Sequence, residues 1–214
     1  MKPYFQDDWV TLWHGDCREI APTLGRFDLC LTDPPFGLGT KLSGGTWGKK
    51  FLGAHEDWDA KAPCLDFLIH VCDHAVIWGG NYFKLPVSRG WLAWIKRDAV
   101  PTMSNLELAW TSEDRNSRFI DQTIAATNAE RVDHPTQKPL AVMLWCLSLF
   151  PESKTVIDPY AGSGTTGRAC KDLGLRCTMI EREERYCEIA ARRMQQAVLP
   201  FTPPPATLPV QTEL

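Results

Sequence analysis

Residues 33–36 read Asp-Pro-Pro-Phe and directly follow an apolar run at residues 27–32. Asp33 contributes a carboxylate, and Pro34 lacks a backbone N–H but keeps a carbonyl oxygen that accepts hydrogen bonds. The segment therefore places two acceptors beside the ring of Phe36, which suits a planar ligand with an exocyclic amine, such as a nucleobase. Taken alone, the segment is better explained as a turn that ends a strand, because prolines cluster in turns.

A second segment, at residues 156–167, predicts a short buried strand, a glycine-rich turn and the start of a helix. Gly162, Gly164 and Gly167 follow the pattern G-x-G-x-x-G, and Glu181 comes nineteen residues after Gly162 at the end of another apolar run. Glycines at these positions let the backbone turn tightly and approach a ligand, and the later carboxylate can accept ribose hydroxyls. The glycine pattern alone is weak, but strand, helix and acidic residue together indicate a site for a nucleoside-bearing cofactor.

Together the two segments resemble the amino-DNA methyltransferases, which use S-adenosylmethionine as the methyl donor. The segment 33–36 precedes the segment 158–164, an order that resembles the circularly permuted β group of that family. Residues 134–139, His-Pro-Thr-Gln-Lys-Pro, are similar to the segment with which that group contacts the methionine end of the cofactor. The resemblance spans about residues 10 to 195, and three motifs in the expected order are hard to obtain by chance.

The chain departs from the family at two points. The Asp-Pro-Pro segment commonly ends in tyrosine there, whereas Phe36 keeps the ring and lacks the hydroxyl. The family also usually carries a target-recognition insert, and here only residues 112–133 separate the last core strand from the motif at 134–139. The resemblance therefore predicts the chemistry and leaves the sequence specificity open.

The resemblance implies a set of site residues. The catalytic residues would be Asp33, Pro34, Pro35 and Phe36. The cofactor would be bound by Asp16, Asp33, Thr136, Lys138, Asp158, Tyr160, Ala161, Gly162, Gly164, Thr165 and Glu181, with Glu181 holding the ribose. Asp16 has a serious competing explanation, since an aspartate after a glycine is typical of a turn.

Candidates for nucleic-acid contact lie in two places. They are Trp47, Lys49, Lys50, Asn81 and Tyr82. The first three belong to residues 37–59, which hold six glycines directly after the catalytic segment. Such a loop beside an active site is commonly a lid or a binding loop, and disorder is an equal alternative. The last two follow a predicted strand and could line a base pocket or belong to the core.

The apolar pattern alternates between strands and helices. Strands are predicted at 10–14, 27–32, 75–78, 91–95, 106–111, 156–158 and 176–180. Of these, 91–95 and 106–111 are expected to form an antiparallel hairpin at one edge. Helices are predicted at 19–24, 62–73, 139–150 and 184–197, and a further helix follows the glycine-rich turn and ends at 173. This is a doubly wound α/β sheet, in which ligands bind beyond the carboxyl ends of the strands. The two key segments, 125 residues apart, are therefore expected to meet.

The family resemblance makes the fold class more specific. It implies a mostly parallel, seven-stranded sheet with one antiparallel strand, in the order 3-2-1-4-5-7-6. This is a Rossmann-like methyltransferase fold in circularly permuted form.

The composition is that of one ordinary globular domain, with 214 residues, 44% hydrophobic and 23% charged. We predict a single methyltransferase domain at residues 1–199 and a proline-rich, disordered tail at 200–214. The net charge of −3 argues against a strongly electrostatic DNA binder. Basic pairs at 49–50, 96–97 and 115/118 could still contact phosphates, although each is better explained as a solvated surface cluster.

Cysteine and histidine usage predicts a cytoplasmic protein without a metal. The eight cysteines form no C-x-x-C pair, which favours reduced core thiols. His70 and His74 lie four residues apart, but such a pair without a third ligand is more often structural. The polar start of the chain predicts neither a signal peptide nor a membrane span.

Several functions stay open at this point. Adenine-N6 methylation of double-stranded DNA is favoured, because an aspartate at the first position of the catalytic segment leans toward adenine in the family. Cytosine-N4 methylation is the alternative. The glycine pattern with Glu181 could also serve a nicotinamide dehydrogenase, and a non-catalytic subunit that binds cofactor or nucleic acid is a third possibility. A homodimer or a specificity partner is possible, and the missing recognition domain favours a partner. The setting would be restriction-modification or a phage.

Overall fold

The computed structural model describes residues 2–38, 62–101, 103–129 and 137–196. Most of the predicted glycine-rich loop and the whole predicted tail at 200–214 lie outside the described residues. The same holds for four predicted site residues, namely Trp47, Lys49, Lys50 and Thr136.

The described residues form one mixed sheet with helices on both faces. Its strands are β1 (Phe5–Gln6), β2 (Val10–His14), β3 (Phe27–Thr32), β4 (Cys72–Trp78), β5 (Trp91–Ile95), β6 (Leu106–Thr111), β7 (Arg118–Asp121), β8 (Thr155–Asp158) and β9 (Arg176–Glu181). The helices are α1 (Cys17–Ile20), α2 (Leu68–Val71), α3 (Ile124–Ala129), α4 (Leu140–Ser148), α5 (Thr165–Asp172) and α6 (Glu184–Gln195). The strand order is β1-β2-β9-β8-β3-β4-β6-β5-β7, and only β1 and β6 run antiparallel to the strands beside them.

The expected count of seven strands is wrong, because the described sheet has nine strands, of which two are antiparallel. The inner seven, from β2 to β5, follow the expected neighbour order, and β1 and β7 are added at the two edges. β1 is only two residues long and carries no periodic pattern. β7 pairs with β5, so the hairpin of β5 and β6 lies inside the sheet rather than at its edge.

Both faces of the central strands are buried, as their unbroken apolar runs predict. In β3, Leu29 and Leu31 enter one core layer, while Phe27 and Cys30 enter the other. Helices α4, α5 and α6 cover the first layer, and α1 and α2 cover the second. The sheet is therefore doubly wound.

Two predicted helices are shorter than expected. Of residues 62–73, only Leu68–Val71 is α-helical, and β4 already begins at Cys72. Near residue 19 the helix is α1, which starts at Cys17 because Asp16 caps it by accepting from the Arg18 backbone N–H at 2.9 Å. The chain then continues into a single 3₁₀ turn that contains Pro22.

The strands that carry the two key segments, β3 and β8, are tied together at both ends. At their start, Asp28 Oδ2 accepts from the backbone N–H groups of Lys154 and Thr155 at 2.7 and 2.8 Å. At their end, the Thr32 hydroxyl donates to Asp158 Oδ1 at 2.7 Å. These side-chain contacts fix the relative height of the two strand ends, which is where the predicted site begins.

The clamp at Asp28 predicts a pH-dependent loss of stability. The backbone N–H groups of Lys154 and Thr155 lower the pKa of Asp28, so its contribution is complete above the unfolded pKa and is lost as pH falls through the folded value. Asp28→Ala should cost about 1–3 kcal/mol at neutral pH and less at about pH 3. Urea unfolding at both pH values measures this. Asp8→Ala, at an exposed site, is the control, and a pH-independent loss for Asp28→Ala would contradict the assignment.

Candidate active site

A cavity of about 880 Å³ lies at the carboxyl edge of the parallel strands. Its walls contain most of the described site residues, namely Asp16, Asp33, Pro35, Tyr82, Lys138, Asp158, Tyr160, Ala161, Gly162, Thr165 and Glu181. Four further site residues do not line it, namely Pro34, Phe36, Asn81 and Gly164. The edge of the sheet thus brings both key segments to one place, as parallel-strand geometry predicts.

The glycine-rich turn fixes the side chain of Glu181, the residue predicted to bind a ribose. Gly162 has φ +50°, and its backbone N–H donates to Glu181 Oε2 at 2.8 Å. Glu181 Oε1 accepts from the Glu183 N–H at 2.8 Å. Burial raises the pKa of Glu181, while these hydrogen bonds favour the charged form. Each carboxylate oxygen keeps a second lone pair, so the fixed carboxylate can still accept hydroxyl groups from the cavity.

A buried arginine supports the same turn from below. Arg193 on α6 is 7% exposed and donates to the Thr165 hydroxyl at 2.9 Å and to the Ser163 carbonyl at 3.4 Å. The Thr165 hydroxyl, predicted to face the cofactor, therefore accepts from Arg193. Sequence reasoning missed Arg193, because an arginine in a polar helix is expected on the solvated face.

Asp158 ends β8 and is 3% exposed. Its Oδ1 accepts from the Thr32 hydroxyl and from the Tyr160 backbone N–H at 3.1 Å. Burial raises the pKa of Asp158 to about 6, against the effect of donors that include Thr166. One of its oxygens thus organises the turn while the residue also forms part of the cavity wall.

Asp16 fits both of its explanations. It caps α1, and its carboxylate forms an ion pair with Arg18, whose Nε lies 2.9 Å from Oδ1. The hydrogen bond from Arg18 lowers the pKa of Asp16 to about 2. Because Asp16 and Arg18 both line the cavity, that wall carries an ion pair.

Asp33 follows β3 directly, and its side chain is 21% exposed. Lys138 Nζ lies 2.8 Å from Asp33 Oδ2 and also 2.8 Å from Glu107 Oε2. The other oxygen, Asp33 Oδ1, is buried and accepts no hydrogen bond from any described residue. The ammonium of Lys138, predicted to act near the cofactor's carboxylate, is therefore directed to two protein carboxylates, and one acceptor of Asp33 is left for another donor.

Glu107 extends this arrangement to a second lysine. Lys96 Nζ contacts Glu107 Oε1, so Lys96, Glu107, Lys138 and Asp33 form a line of alternating charges, which we call the charge chain. Lys96 is 6% exposed, so its favoured explanation as a solvated surface residue is wrong, and it is not at the surface as the alternative of a phosphate contact requires. Its neighbour Arg97 forms an ion pair with Asp121.

The pKa values of Asp33 and Glu107 in the charge chain are shifted in opposite directions. Burial raises the pKa of Asp33, and the negative charge of Glu107 raises it further against the attraction of Lys138. Burial would also raise the pKa of Glu107, but Lys138 and Lys96 outweigh it and lower the value to about 2. For Lys138, burial disfavours the charge, and the two carboxylates more than compensate, so its pKa is raised. Lys138 and Glu107 thus stay charged at neutral pH.

An aromatic wall stands beside Asp33. The rings of Phe36 and Tyr82 stack with centroids 5.0 Å apart and an interplanar angle of 20°. Phe83 meets Phe36 edge-on at 6.4 Å. Tyr82 is 46% exposed, so the aromatic pair has one accessible member at the cavity. Gly79, with φ +69°, makes room for Phe36, since an added Cβ would lie 2.1 Å from its Cε1.

The other titratable residues that the structure describes do not build a second centre. The sequence makes Arg115 a candidate for phosphate contact, with a solvated surface cluster as the favoured explanation; in the structure it donates to the Leu149 carbonyl at 3.0 Å and lies over the Phe150 ring. All eight cysteines are free thiols; Cys64 is exposed and lines the cavity, while the others are buried. Among the described residues, no group of three His, Cys, Asp or Glu could hold a metal, and no helix is long and apolar enough to span a membrane.

The packing of Phe36 on Gly79 predicts a large effect of one methyl group. Gly79→Ala should lower the free energy of unfolding by about 2–5 kcal/mol, because the positive φ costs about 1–2 kcal/mol and displacing the ring about 1–3 kcal/mol. Gly25→Ala is a matched control, since Gly25 has φ +88° and no described atom within 4 Å of an added Cβ. Equal losses of the two variants in urea unfolding would contradict a tight Phe36 contact.

Comparison with known proteins shows the family of the chain. The family described as DNA methylase matches residues 78–192, more than half of the chain. The type II methyltransferase M.HinfI of Haemophilus influenzae is 25% identical over 92% of this chain and 71% of its own length. The M1.HpyAVI–SAM complex has a TM-score of 0.58 and 22% identity, covering 87% of this chain and all of that one. The cytosine-N4-specific PvuII DNA methyltransferase has a TM-score of 0.60 and 13% identity, covering 92% and 90%.

Proposed function

The chain belongs to the N6/N4 family of DNA methylases, and from this membership we propose that it methylates the exocyclic N6 amine of adenine in double-stranded DNA. The observation that carries the proposal is at Asp33, which lines the same cavity as Glu181 and whose Oδ1 is a buried acceptor with no described partner. Methylation of the cytosine N4 amine is the alternative, because the same acceptors fit either amine.

The cavity walls fit S-adenosylmethionine, the cofactor of the family. Glu181 presents a fixed carboxylate with free lone pairs to a ribose. Gly162, with positive φ, lines the cavity and lets the backbone approach the ligand without a Cβ in the way. Gly164 also has positive φ, but a Cβ there would meet Ala190 and Met194 on α6, so it serves the packing of the turn. When bound, S-adenosylmethionine supplies an electrophilic methyl group on a positively charged sulfur. Asp16 is proposed to face its adenine ring, and Asp158 its amino group, directly or through water. Lys138 and Thr136 are proposed to act near its carboxylate.

The protein's own part in the reaction is to prepare the amine. The lone pair of an exocyclic amine is delocalised into the base, which makes it a poor nucleophile. Hydrogen bonds from its two N–H groups to Asp33 Oδ1 and to the Pro34 carbonyl favour a tetrahedral nitrogen, whose lone pair is free to attack. Asp33 need not remove a proton beforehand, because the methylated amine is far more acidic. Positioning and electrostatic preorganisation thus supply most of the rate enhancement.

The proposal extends to the organisation of the chain. The catalytic strand β3 precedes the cofactor strand β8 in sequence while the two are neighbours in the sheet, which supports the circularly permuted β-group arrangement. We further propose a single methyltransferase domain at residues 1–199, with the segment 37–59 as a lid that uses Trp47, Lys49 and Lys50 on DNA. A nicotinamide dehydrogenase would leave Asp33 and its free acceptor without a role.

Two substitutions separate catalysis from cofactor binding. Asp33→Ala should lower methyl transfer by about 10²–10³-fold and leave the affinity for S-adenosylmethionine within a few-fold. Glu181→Ala should weaken cofactor binding about tenfold or more, since it removes charge-assisted hydrogen bonds. Calorimetry and transfer of labelled methyl to unmethylated DNA measure the two effects.

Digestion of that DNA to nucleosides with mass spectrometry then identifies the base. N6-methyladenine supports the proposal, and N4-methylcytosine overturns the choice of base. Cofactor binding without any methylation of DNA overturns the activity and favours a subunit that needs a partner or another acceptor such as RNA.

The role of Phe36 is tested by its ring. Flipping a base out of the duplex costs a few kcal/mol, and stacking on an aromatic side chain returns about 1–3 kcal/mol. Phe36→Ala should therefore lower kcat/KM by about 5–150-fold on duplex DNA, while Phe36→Tyr keeps most activity. The fluorescence of 2-aminopurine at the target position reports flipping. Equal activity of Phe36→Ala and Phe36→Tyr would show that the ring does not receive the base.

A further inference from the structure

We infer that Glu107 and Lys96 are positioning residues, which act through Lys138 to hold Asp33 with one carboxylate oxygen fixed and the other presented to the target amine. The inference rests on the proposed function for its biological meaning. Its physical content is a coupling between four described side chains that can be measured in the protein alone.

The geometry leaves the Lys138 ammonium little freedom. Two of its contacts are the carboxylate oxygens of Asp33 and Glu107, each at 2.8 Å. Its Nζ also lies 5.6 Å from the centroid of the Phe36 ring and 5.3 Å from that of Trp78, distances at which a cation is attracted to an aromatic face. An ammonium held by two carboxylates and two aromatic rings fixes the position of Asp33 Oδ2. A rotation of that carboxylate would break the ion pair.

The topology explains why Glu107 and Lys96 can reach this point. β6 runs antiparallel to β4, so the start of β6, with Glu107, lies at the carboxyl edge of the parallel strands. Lys96 follows β5 directly, and its backbone N–H donates to the Asn105 carbonyl at 2.8 Å within the hairpin. The hairpin therefore brings a second acid and a second base beside the catalytic segment, from a part of the chain that contains no recognised motif.

The charge chain predicts the direction in which the Asp33 pKa shifts in each variant, because Asp33 and Glu107 compete for the ammonium of Lys138. The charged groups that act on Asp33 are Lys138, Glu107 and Lys96, together with Asp158 at the end of β8. Removing the charge of Glu107 gives Lys138 wholly to Asp33, so the Asp33 pKa should fall. Removing Lys96 leaves Glu107 dependent on Lys138, so the Asp33 pKa should rise.

The test follows Asp33 directly in the full-length protein. The ¹³Cγ resonance of Asp33, assigned with Asp33→Asn, is titrated in the wild type, Glu107→Gln and Lys96→Gln. The matched control is Glu113→Gln, which removes an acid beyond the opposite end of β6 that pairs with His74 at 2.5 Å. We expect the midpoint to fall by about one pH unit in Glu107→Gln, to rise in Lys96→Gln and to stay in the control. If either Glu107→Gln or Lys96→Gln does not fold, the direction of the midpoint shift in the other variant still tests the inference.

Methyl transfer to duplex DNA as a function of pH gives the second readout. Its acid limb should move in the same two opposite directions, which a merely structural role would not produce. A midpoint in Glu107→Gln that equals that of Glu113→Gln, or moves upward, overturns the inference even when the wild type methylates DNA. Opposite shifts in a wild type that transfers no methyl leave the charge chain standing and overturn the proposed function instead.

Discussion

Burying a carboxylate costs several kcal/mol unless another charge and further hydrogen bonds compensate. Asp33 meets this constraint with a single ammonium, that of Lys138, which it shares with Glu107. Of the two Asp33 oxygens, the ammonium contacts only Oδ2 and leaves Oδ1 without a described partner, whereas no pairing at all would favour the protonated form of Asp33. The site depends on the sheet holding these groups at fixed distances, and the clamps between β3 and β8 serve that end.

The parts of the site that could be predicted from the sequence are those that end an apolar strand. Asp33, Asp158 and Glu181 each close or follow such a run, and parallel strands bring their carboxyl ends to one edge. The glycines of the turn could also be predicted, because few other residues adopt the positive φ found at Gly162 and Gly164. Local pattern and global geometry agree at these positions, which is why the motif-bearing half of the site could be read in advance.

The rest could not be predicted, because its signal is an ordinary charged residue. Glu107 lies in an alternating strand and Arg193 in a polar helix, and both patterns are typical of solvent exposure. Only the tertiary structure shows that β7 covers the outer side of the hairpin and that the Lys96 side chain turns inward to Glu107. Strand β7 was also not predicted, because four residues after a polar stretch are too few to show the alternation of apolar and polar residues that indicates a strand. Long-range ion pairs leave no spacing in the sequence.

The distribution of thiols has a practical consequence. Seven of the eight cysteines are enclosed by the two core layers or the helices that cover them, and only Cys64 is exposed, at the wall of the cavity. A maleimide dye would therefore couple to the folded protein at one position without any engineering. Its emission would respond to whatever enters or leaves the neighbouring space, so the native chain already carries the attachment point for an optical sensor of ligand occupancy.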